Sequence, residues 1–194
     1  MSGQRGLLLV TGGAGFIGGA ITAAALDAGW AVRVLDSLRS DVHGAAPDVD
    51  RRADFRHADV RDAPAVAAAL DGVTAVCHQA AKVGLGVDFS DAPDYVGSNE
   101  LGTAVLLAVM TAAGIGRLVL ASSMVVYGEG AYSGADGPAR PLPRAAGELE
   151  AGRFDPLDEH GSPLVPGLIA EDALLDPRNV YAATKLAQEH LASS

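Results

Sequence analysis

The stretch Val10–Ile21, "VTGGAGFIGGAI", decides the fold that this sequence predicts. Gly13, Gly15 and Gly18 have the spacing G-x-G-x-x-G, and Gly12 begins an overlapping G-x-x-G-x-x-G pattern with the last two. An apolar run precedes the glycines, and a segment of helical period follows them. Glycines permit a tight turn, and the helix that begins there offers free N–H groups and the positive end of its dipole. The stretch therefore predicts a pyrophosphate-binding turn between a strand and a helix.

Outward from this turn, Val- and Leu-rich runs alternate with segments of helical period. This alternation predicts an α/β fold with a Rossmann-type, doubly wound parallel sheet. Strands are predicted at Gly6–Thr11, Ala31–Asp36, Asp54–Ala58, Ala75–Gln79 and Arg117–Ser122. Helices are predicted at Gly15–Ala28, Ala63–Leu70, Tyr95–Ala113 and from Val180 onward.

The segment from Gly128 to Asn179 has a different character, because it is dense in glycine and proline and shows no sustained period. Such a composition indicates a long excursion over the surface, and one helical turn is predicted near Ala145–Ala151. We expect residues 1–194 to form one dinucleotide-binding Rossmann domain, with residues 128–179 as a long insertion or loop.

The composition is that of a globular chain, since 49% of its 194 residues are hydrophobic and 20% are charged. A net charge of −10 argues against a surface that binds DNA or RNA phosphates. The single cysteine, Cys77, lies in an apolar run, which predicts a buried structural thiol and a reducing, cytoplasmic location. The apolar run near the N-terminus is too short for a signal peptide or a membrane span.

Acidic residues follow two predicted strands. Asp36 ends the second strand, where a carboxylate accepts hydrogen bonds from the adenosine ribose and repels a 2′-phosphate, so the predicted cofactor is NAD rather than NADP. Arg39 lies close by, where it could soften this discrimination, but it is interpreted as a solvated loop charge. Asp59 follows the third strand, where it either contacts the adenine edge or is a simple turn carboxylate.

A second motif lies in "NVYAATKLAQEHLASS", residues 179–194. Tyr181 and Lys185 are one helical turn apart, and an ammonium stabilises a neighbouring phenolate. Ser122 and Ser123 lie at the end of the fifth predicted strand, at the edge of the sheet where ligands bind. A hydroxyl, a phenol and an ammonium are the groups that hydride transfer at an alcohol carbon requires.

These motifs together resemble a known family. "TGGAGFIG", Asp36, "DVRD", "HQAAK", "SNELGT", "SSMVVYG" and "YAATK" have the order and rough spacing of the extended short-chain dehydrogenase/reductases, specifically of the NAD-dependent sugar epimerase/dehydratase family. The resemblance implies Ser123 as the catalytic hydroxyl and Tyr181 as the base. It implies Lys185 as the partner of Tyr181 and as a ligand of the nicotinamide ribose.

The same resemblance implies a cofactor-binding set that begins with the glycine turn. Phe16 and Ile17 would meet the pyrophosphate through their backbone, and Asn99 would lie behind the residues that contact the cofactor. The full set is Gly12, Gly15, Phe16, Ile17, Gly18, Asp36, Asp59, Val60, Ala80, Ala81, Lys82, Asn99, Tyr181 and Lys185. Lys82 departs from the small or apolar residue expected at its position, and its ammonium would touch a ribose or reach solvent.

The residues after the catalytic hydroxyl bear on the reaction. Sugar 4,6-dehydratases resemble "TDEVYG" and uronate decarboxylases "SEVYG", whereas Met124 and Val125 fill the acidic positions here and donate no proton. The remaining expectation is NAD-dependent 4-epimerisation of a nucleotide sugar, in closest resemblance to family members that are dTDP-L-rhamnose 4-epimerases. The alternatives are a sugar dehydrogenase or reductase, and an NAD-binding fragment without activity.

Four further expectations concern the extent of the chain, its assembly, its substrate and metals. Family members continue beyond the Tyr181 helix with more strands and a small substrate domain, so we expect a fragment whose sheet is incomplete at its C-terminal side. The resemblance implies a homodimer through helices Tyr95–Ala113 and Val180–Ala192. A nucleotide sugar is the expected substrate. No metal is expected, because the excursion offers a lone histidine among carboxylates: Asp136, Asp155, Asp158, Glu159 and His160.

Overall fold

A computed structural model describes residues 5–43, 49–84, 86 and 88–194 of the chain. The chain divides into two compact units. The first unit consists of the described residues of Met1–Ser122 together with Asn179–Ser194, and the second unit is Ser123–Arg178.

The first unit contains a five-stranded parallel sheet with the strand order β3-β2-β1-β4-β5. Its strands are β1 (Leu7–Thr11), β2 (Ala31–Asp36), β3 (Asp54–His57), β4 (Val73–His78) and β5 (Leu118–Leu120). Each predicted strand is confirmed, although β5 is shorter at both ends than predicted. Thr11 lies opposite both Leu35 and His78, so the three central strands end at one edge of the sheet.

Helices cover both faces of this sheet, which confirms the doubly wound α/β prediction. Helix α1 (Phe16–Asp27) packs on one face, and α2 (Ala63–Ala69) and α4 (Gly102–Ala112) pack on the other. Alternation along β1 separates the two cores, because Leu9 packs with the α2 and α4 side and Val10 with the α1 side. Both residues are fully buried.

The predicted helix Tyr95–Ala113 exists but is not uniform. It begins as α3 (Ala92–Tyr95), widens into a π-helical segment at Val96–Leu101, and continues as α4. The widened turn carries Asn99, which is completely buried. Such π-helical turns are rare and occur often at functional sites.

The final helix, α6 (Val180–Ser193), begins where the sequence predicts it. The Asn179 side chain caps it, because its Oδ1 accepts a hydrogen bond of 2.8 Å from the Ala182 amide. Capping by Asn satisfies one of the free amides of a first helical turn. The cap therefore fixes the point at which Tyr181 enters the helix.

The second unit is built from short elements. Strands β6 (Tyr132–Gly134), β7 (Gly137–Ala139) and β8 (Val165–Pro166) form an antiparallel sheet in the order β7-β6-β8. Helix α5 (Ala146–Glu150) confirms the helical turn predicted in this segment. The three strands were not predicted.

Two other expectations concern burial and membranes. The Cys77 thiol is buried, and burial raises its pKa, which confirms the prediction of a structural cysteine. Across the described ranges, no helix combines the length and the apolar character that crossing a membrane requires.

Candidate functional site: a dinucleotide cleft

A cleft of about 390 Å³ opens in the first unit at the carboxyl ends of the strands. Thirteen of the residues predicted to bind or act line it together, and they come from five separate stretches of the chain. They are Gly12, Gly15, Phe16, Ile17, Gly18, Asp36, Asp59, Val60, Ala80, Ala81, Lys82, Tyr181 and Lys185.

The glycine turn is the wall of this cleft that tolerates no side chains. Gly12 has φ of +68°, and a Cβ there would lie 2.6 Å from the Ala80 amide nitrogen. A Cβ at Gly18 would lie 2.1 Å from the Gly12 carbonyl oxygen. Both distances are shorter than any ordinary contact, so the turn folds this tightly only with glycine at these positions.

Helix α1 points its N-terminus into the cleft. Gly15 is the N-cap residue, and no side chain caps the amides of the first turn. Phe16 is 98% exposed and Ile17 61% exposed, so two large apolar side chains border these amides without being packed. Uncapped amides and the helix dipole form an anion-binding site, which fits the pyrophosphate of a dinucleotide.

Asp36 is buried at the end of β2, and backbone amides hold its carboxylate. Oδ2 accepts a hydrogen bond of 3.0 Å from the Ala14 amide, and Oδ1 accepts one of 2.9 Å from the Leu38 amide. His43 Nε2 lies 3.6 Å from Oδ1. A carboxylate has about four acceptor positions, so Asp36 retains capacity for ribose hydroxyls while it fastens the glycine turn to β2.

Arg39 and Lys82 are bound to one carboxylate, that of Asp94 in α3. Arg39 Nη1 donates to Asp94 Oδ1 over 2.7 Å, and Lys82 Nζ donates to Asp94 Oδ2 over 2.7 Å. Hydrogen bonds from Arg39 and then from Lys82 hold the pKa of Asp94 far below its ordinary value. The interpretation of Arg39 as a solvated loop charge is therefore wrong, because its guanidinium is ion-paired. The Lys82 ammonium is held in an ion pair with the same carboxylate, and its contact with a cofactor stays a prediction.

Asp59 and Val60 follow β3 at the adenine end proposed for the cleft. Asp59 accepts hydrogen bonds from the backbone amide and the side chain of Arg61, each at 2.9 Å through Oδ1. The Arg61 guanidinium holds the pKa of Asp59 below its ordinary value. Val60 is buried and belongs to the core on the α2 and α4 side. Asp59 thus serves as a turn carboxylate in this structure while also facing the cleft.

Asn99 lies behind the cleft rather than in it, as the resemblance implies. Its Oδ1 accepts a hydrogen bond of 2.7 Å from the Lys82 amide, and its Nδ2 donates to the Lys82 carbonyl and to Thr184 Oγ1. Because Thr184 belongs to α6, Asn99 joins the loop after β4 to the helix of Tyr181. This connection sets the distance between two walls of the cleft.

Tyr181 and Lys185 project from α6 into the same cleft. Lys185 is 3% exposed, and its ammonium makes no hydrogen bond with any residue that the structure describes. Burial lowers the pKa of Lys185 to about 8, and the nearby Glu189 carboxylate partly opposes this shift. An ammonium that faces a cleft without an acceptor partner has its N–H donors available to a ligand.

A buried chain of hydrogen bonds supports this helix, and the sequence did not reveal it. His78 Nδ1 lies 2.6 Å from Thr11 Oγ1, His78 Nε2 lies 2.9 Å from Thr103 Oγ1, and Gln188 Nε2 donates to the same Thr103 oxygen over 2.6 Å. Burial, and to a smaller extent the charge of Lys185, lowers the pKa of His78 to about 3. His78 is thus a neutral link between β4 and α6.

The two serines that follow β5 have different surroundings. Ser122 lines the cleft, and its hydroxyl donates to the Glu189 carboxylate of α6. Ser123 is the first residue of the second unit and precedes a 3₁₀ turn at Met124–Tyr127. The catalytic assignment of Ser123 stays a prediction.

Other lining residues were missed, and they share a simple property. Ser37, Arg61, Gln79 and Ala121 directly follow a strand or lie a few residues beyond its carboxyl end, and all line the cleft. In a parallel sheet every such position faces the ligand edge, so strand ends alone could have identified them.

In the second unit, the Asp158 carboxylate stabilises the loop that contains His160. Asp158 Oδ1 accepts hydrogen bonds from the His160 and Ser162 amides at 2.9 and 2.8 Å. Within the described residues, no group of three or more His, Cys, Asp or Glu side chains could hold a metal ion.

Comparisons with known proteins agree with this geometry. The model of the NAD dependent epimerase/dehydratase family matches residues 8–146. A dTDP-L-rhamnose 4-epimerase of Burkholderia thailandensis is 36% identical over 95% of this chain and 52% of its own length. A dTDP-glucose 4,6-dehydratase of Streptomyces niveus is 36% identical over 74% of this chain and 48% of its own length. The chain therefore spans about half the length of the curated relatives it matches.

Solved structures give the same result. The crystal structure of a UDP-glucose-4-epimerase from Stenotrophomonas maltophila, with bound NAD and formylated UDP-arabinopyranose, superposes with a TM-score of 0.67. It is 28% identical, and the match covers 97% of this chain and 48% of that one. The matched structures therefore include an NAD-bound protein that is similar in fold over almost the whole of this chain.

Proposed function

The chain belongs to the NAD dependent epimerase/dehydratase family, and from that premise we propose that the protein is a nucleotide-sugar 4-epimerase. Its relatives include NAD-dependent nucleotide-sugar epimerases, and their names contain dTDP- and UDP-sugars. The proposed substrate is a nucleoside diphosphate hexose with a free hydroxyl at C4.

The residues of the cleft fit NAD. The uncapped first turn of α1 suits the pyrophosphate, the Asp36 carboxylate suits the adenosine ribose, and the Lys185 ammonium suits the nicotinamide ribose. When bound, the cofactor supplies a hydride acceptor that can later return the hydride to the same carbon.

The observation that carries the proposal is the buried side chain of Lys185, whose ammonium, without a hydrogen-bond partner among the described residues, reaches the cleft one helical turn from Tyr181. In the proposed reaction the Tyr181 oxygen takes the proton of the sugar C4 hydroxyl as the C4 hydrogen leaves. Lys185 stabilises the negative charge on that phenolic oxygen. The proposed role of the Ser123 hydroxyl is to hold the sugar oxygen during this transfer.

Epimerisation requires that Tyr181 give the proton back after the keto sugar has turned its other face. This reaction needs no acid beyond Tyr181. Elimination of water needs an acid for the departing hydroxyl, and Met124 and Val125, which fill the positions of the dehydratase acids, have no acidic group. We therefore favour epimerisation over dehydration.

The proposal is tested by the Tyr181→Phe variant of the protein expressed from its gene. Incubation with NAD⁺ and a panel of dTDP- and UDP-hexoses, followed by NMR of the sugar C4 proton, measures the interconversion of C4 epimers. We expect Tyr181→Phe to reduce turnover by about two to four orders of magnitude, because it removes the group that transfers the proton. The Kd for NAD⁺ should change by less than about threefold, because the cofactor contacts remain.

Three other outcomes would contradict the proposal. Accumulation of free NADH and a keto sugar would favour a dehydrogenase, and loss of water from the sugar would favour a dehydratase. Tight NAD⁺ binding without conversion of any sugar would favour a binding module. The homodimer and the cytoplasmic location stay predictions.

A further inference from the structure

Arg39 carries five N–H donors, and each one has an acceptor within the first unit. Nη1 donates to Asp94 Oδ1 at 2.7 Å and to Ser98 Oγ at 3.5 Å. Nη2 donates to Asp94 Oδ2 at 2.7 Å and to Asp41 Oδ2 at 2.8 Å. Nε donates to Asp41 Oδ1 at 3.0 Å. The guanidinium is therefore saturated by two carboxylates and one hydroxyl.

Arg39 lies where an arginine could bind the 2′-phosphate of NADP, so the saturation of its donors bears on the choice of cofactor. Arg39 follows Asp36 by three residues in the loop after β2, and both residues line the cleft. An arginine in this loop is the group that accommodates the 2′-phosphate of NADP in dinucleotide-binding folds. A guanidinium binds phosphate through two parallel N–H donors, so the phosphate needs a free edge of the group. Arg39 has no free edge.

Asp94 holds a second cation of the cleft in the same way. Lys82 Nζ donates to Asp94 Oδ2 at 2.7 Å and lies 4.9 Å from the centre of the Tyr95 ring. The side chains of Arg39, Lys82 and Asp94 are 32%, 19% and 33% exposed. The three charges are thus screened less by water and salt than a pair on the open surface.

We propose that Asp94 is a specificity-determining residue for the cofactor. By binding Arg39 and Lys82, it withholds both cations from a 2′-phosphate. Asp94 thereby favours NAD over NADP, and it acts together with the carboxylate of Asp36. The inference concerns the cofactor of the family and is independent of the proposed reaction on the sugar.

The competing explanation is that Asp94 only ties α3 to the loops after β2 and β4. In that case its loss would loosen the cleft for both nucleotides equally. If Asp94 selects against the 2′-phosphate, loss of its carboxylate would instead tighten the binding of NADP⁺ alone. That gain in affinity would depend on Arg39.

The test is a calorimetric titration of the 194-residue chain with NAD⁺ and with NADP⁺. The variants are Asp94→Asn, Arg39→Ala and the two changes combined, with a thermal melt of each. We expect Asp94→Asn to lower the Kd for NADP⁺ about tenfold, the effect of one gained charge-assisted contact. The Kd for NAD⁺ should change less than about threefold. Adding Arg39→Ala should abolish most of the gain for NADP⁺.

Two further variants sharpen the test. Asp41→Asn alters an exposed loop, releases part of the same guanidinium, and should tighten NADP⁺ binding by a smaller factor even if Asp94→Asn folds poorly. Asp71→Asn removes an equal charge from an exposed residue that precedes β4, so it controls for net charge and should leave both Kd values unchanged.

The inference is overturned if NAD⁺ binds as before while the ratio of the two Kd values stays unchanged in Asp94→Asn and in Asp41→Asn. It is also overturned if the gain for NADP⁺ persists without Arg39, or if both nucleotides weaken equally. Failure of every variant and of the unchanged chain to bind either nucleotide would overturn it together with the proposed cofactor site.

Discussion

The two units of this chain are stabilised by different interactions. In the first unit, two clusters of buried apolar side chains pack on opposite faces of the parallel sheet. In the second unit, Ser123–Arg178, which the structure describes throughout, the buried apolar side chains are those of Val126, Pro141, Pro156 and Leu164. Burial of apolar surface is the main favourable contribution to folding, so the first unit has the larger share of it.

In the second unit, hydrogen bonds from arginine side chains to backbone carbonyls also hold the chain together. Arg140 donates to the carbonyl oxygens of Leu174 and Tyr127 at 2.8 and 3.2 Å, and Arg144 donates to the Phe154 carbonyl at 3.1 Å. These bonds join residues that are far apart in the sequence. Periodic apolar patterns therefore reveal the first kind of unit but not the second. Three predictions test this difference.

The largest effect is expected in the glycine turn of the first unit. A Cβ at Gly18 would lie 2.1 Å from the Gly12 carbonyl oxygen, whereas one at Gly19 would lie 3.7 Å from the nearest atom, Gly13 O. We expect Gly18→Ala to lower the free energy of unfolding by about 3 kcal/mol or more, because backbone must move. Gly19→Ala should raise it by about 0.5–1 kcal/mol, because alanine favours the helix.

Urea denaturation of Gly18→Ala and Gly19→Ala measures the two changes in the free energy of unfolding. Similar changes in the midpoint for the two alanines would contradict the close approach of α1 to the turn.

An effect of intermediate size is expected from Lys185, a buried charged residue of the first unit, on how the free energy of unfolding depends on pH. The folded-state pKa of Lys185 is lowered to about 8 from the ordinary 10.5, so between these pH values the unfolded chain binds the proton that the folded chain has lost. The free energy of unfolding should therefore rise by about 1–3 kcal/mol as pH increases through this window. Below pH 8 both states are charged, and the slope from this group vanishes.

The Lys185→Met variant should lack this rise, and the difference between the two pH profiles isolates Lys185 from other titrating groups. Chemical denaturation from pH 7 to 10.5 provides the measurement. Parallel profiles for the two proteins would mean that Lys185 is not buried as a cation.

The smallest effect is expected in the second unit. Arg140→Ala removes two bonds to backbone carbonyls and should lower local stability by about 1–2 kcal/mol. Arg153→Ala is the matched control, since Arg153 pairs with the exposed Glu148, and its loss should change stability by less than about 0.5 kcal/mol. Limited proteolysis within residues 123–178 distinguishes the two, and equal cleavage rates would refute the role of Arg140.

The sequence predicted the first unit because its signals are local. The glycine spacing and the apolar runs before Thr11 and Asp36 each act within a few residues of the element they specify. Those signals also predicted most of the cleft, since the ends of parallel strands meet at one edge.

Contacts between distant residues were beyond this reasoning. Thr11, His78, Thr103 and Gln188 form one buried chain, yet nothing local to any of them indicates the others. Arg39 was misinterpreted for the same reason, because its partner Asp94 lies in α3, 55 residues along the chain.

The short strands of the second unit contradict local propensity. Strand β7 contains Pro138 and β8 contains Pro166, and proline disfavours strand interiors. Both strands lie at the edges of the small sheet, with β6 between them, which is where proline is tolerated. Their pairing is visible only once the chain has folded back on itself.

The assignment on which the other proposals depend is that the glycine turn and Asp36 of the first unit bind NAD. Hydrogen exchange of the chain, measured with and without NAD⁺ at residue resolution, tests it most directly. We predict slower exchange at the amides of Phe16, Ile17 and Gly18 and at Leu38, whose amide is bound to Asp36. Unchanged exchange in this turn at saturating NAD⁺, or protection confined to residues 123–178, would contradict the account.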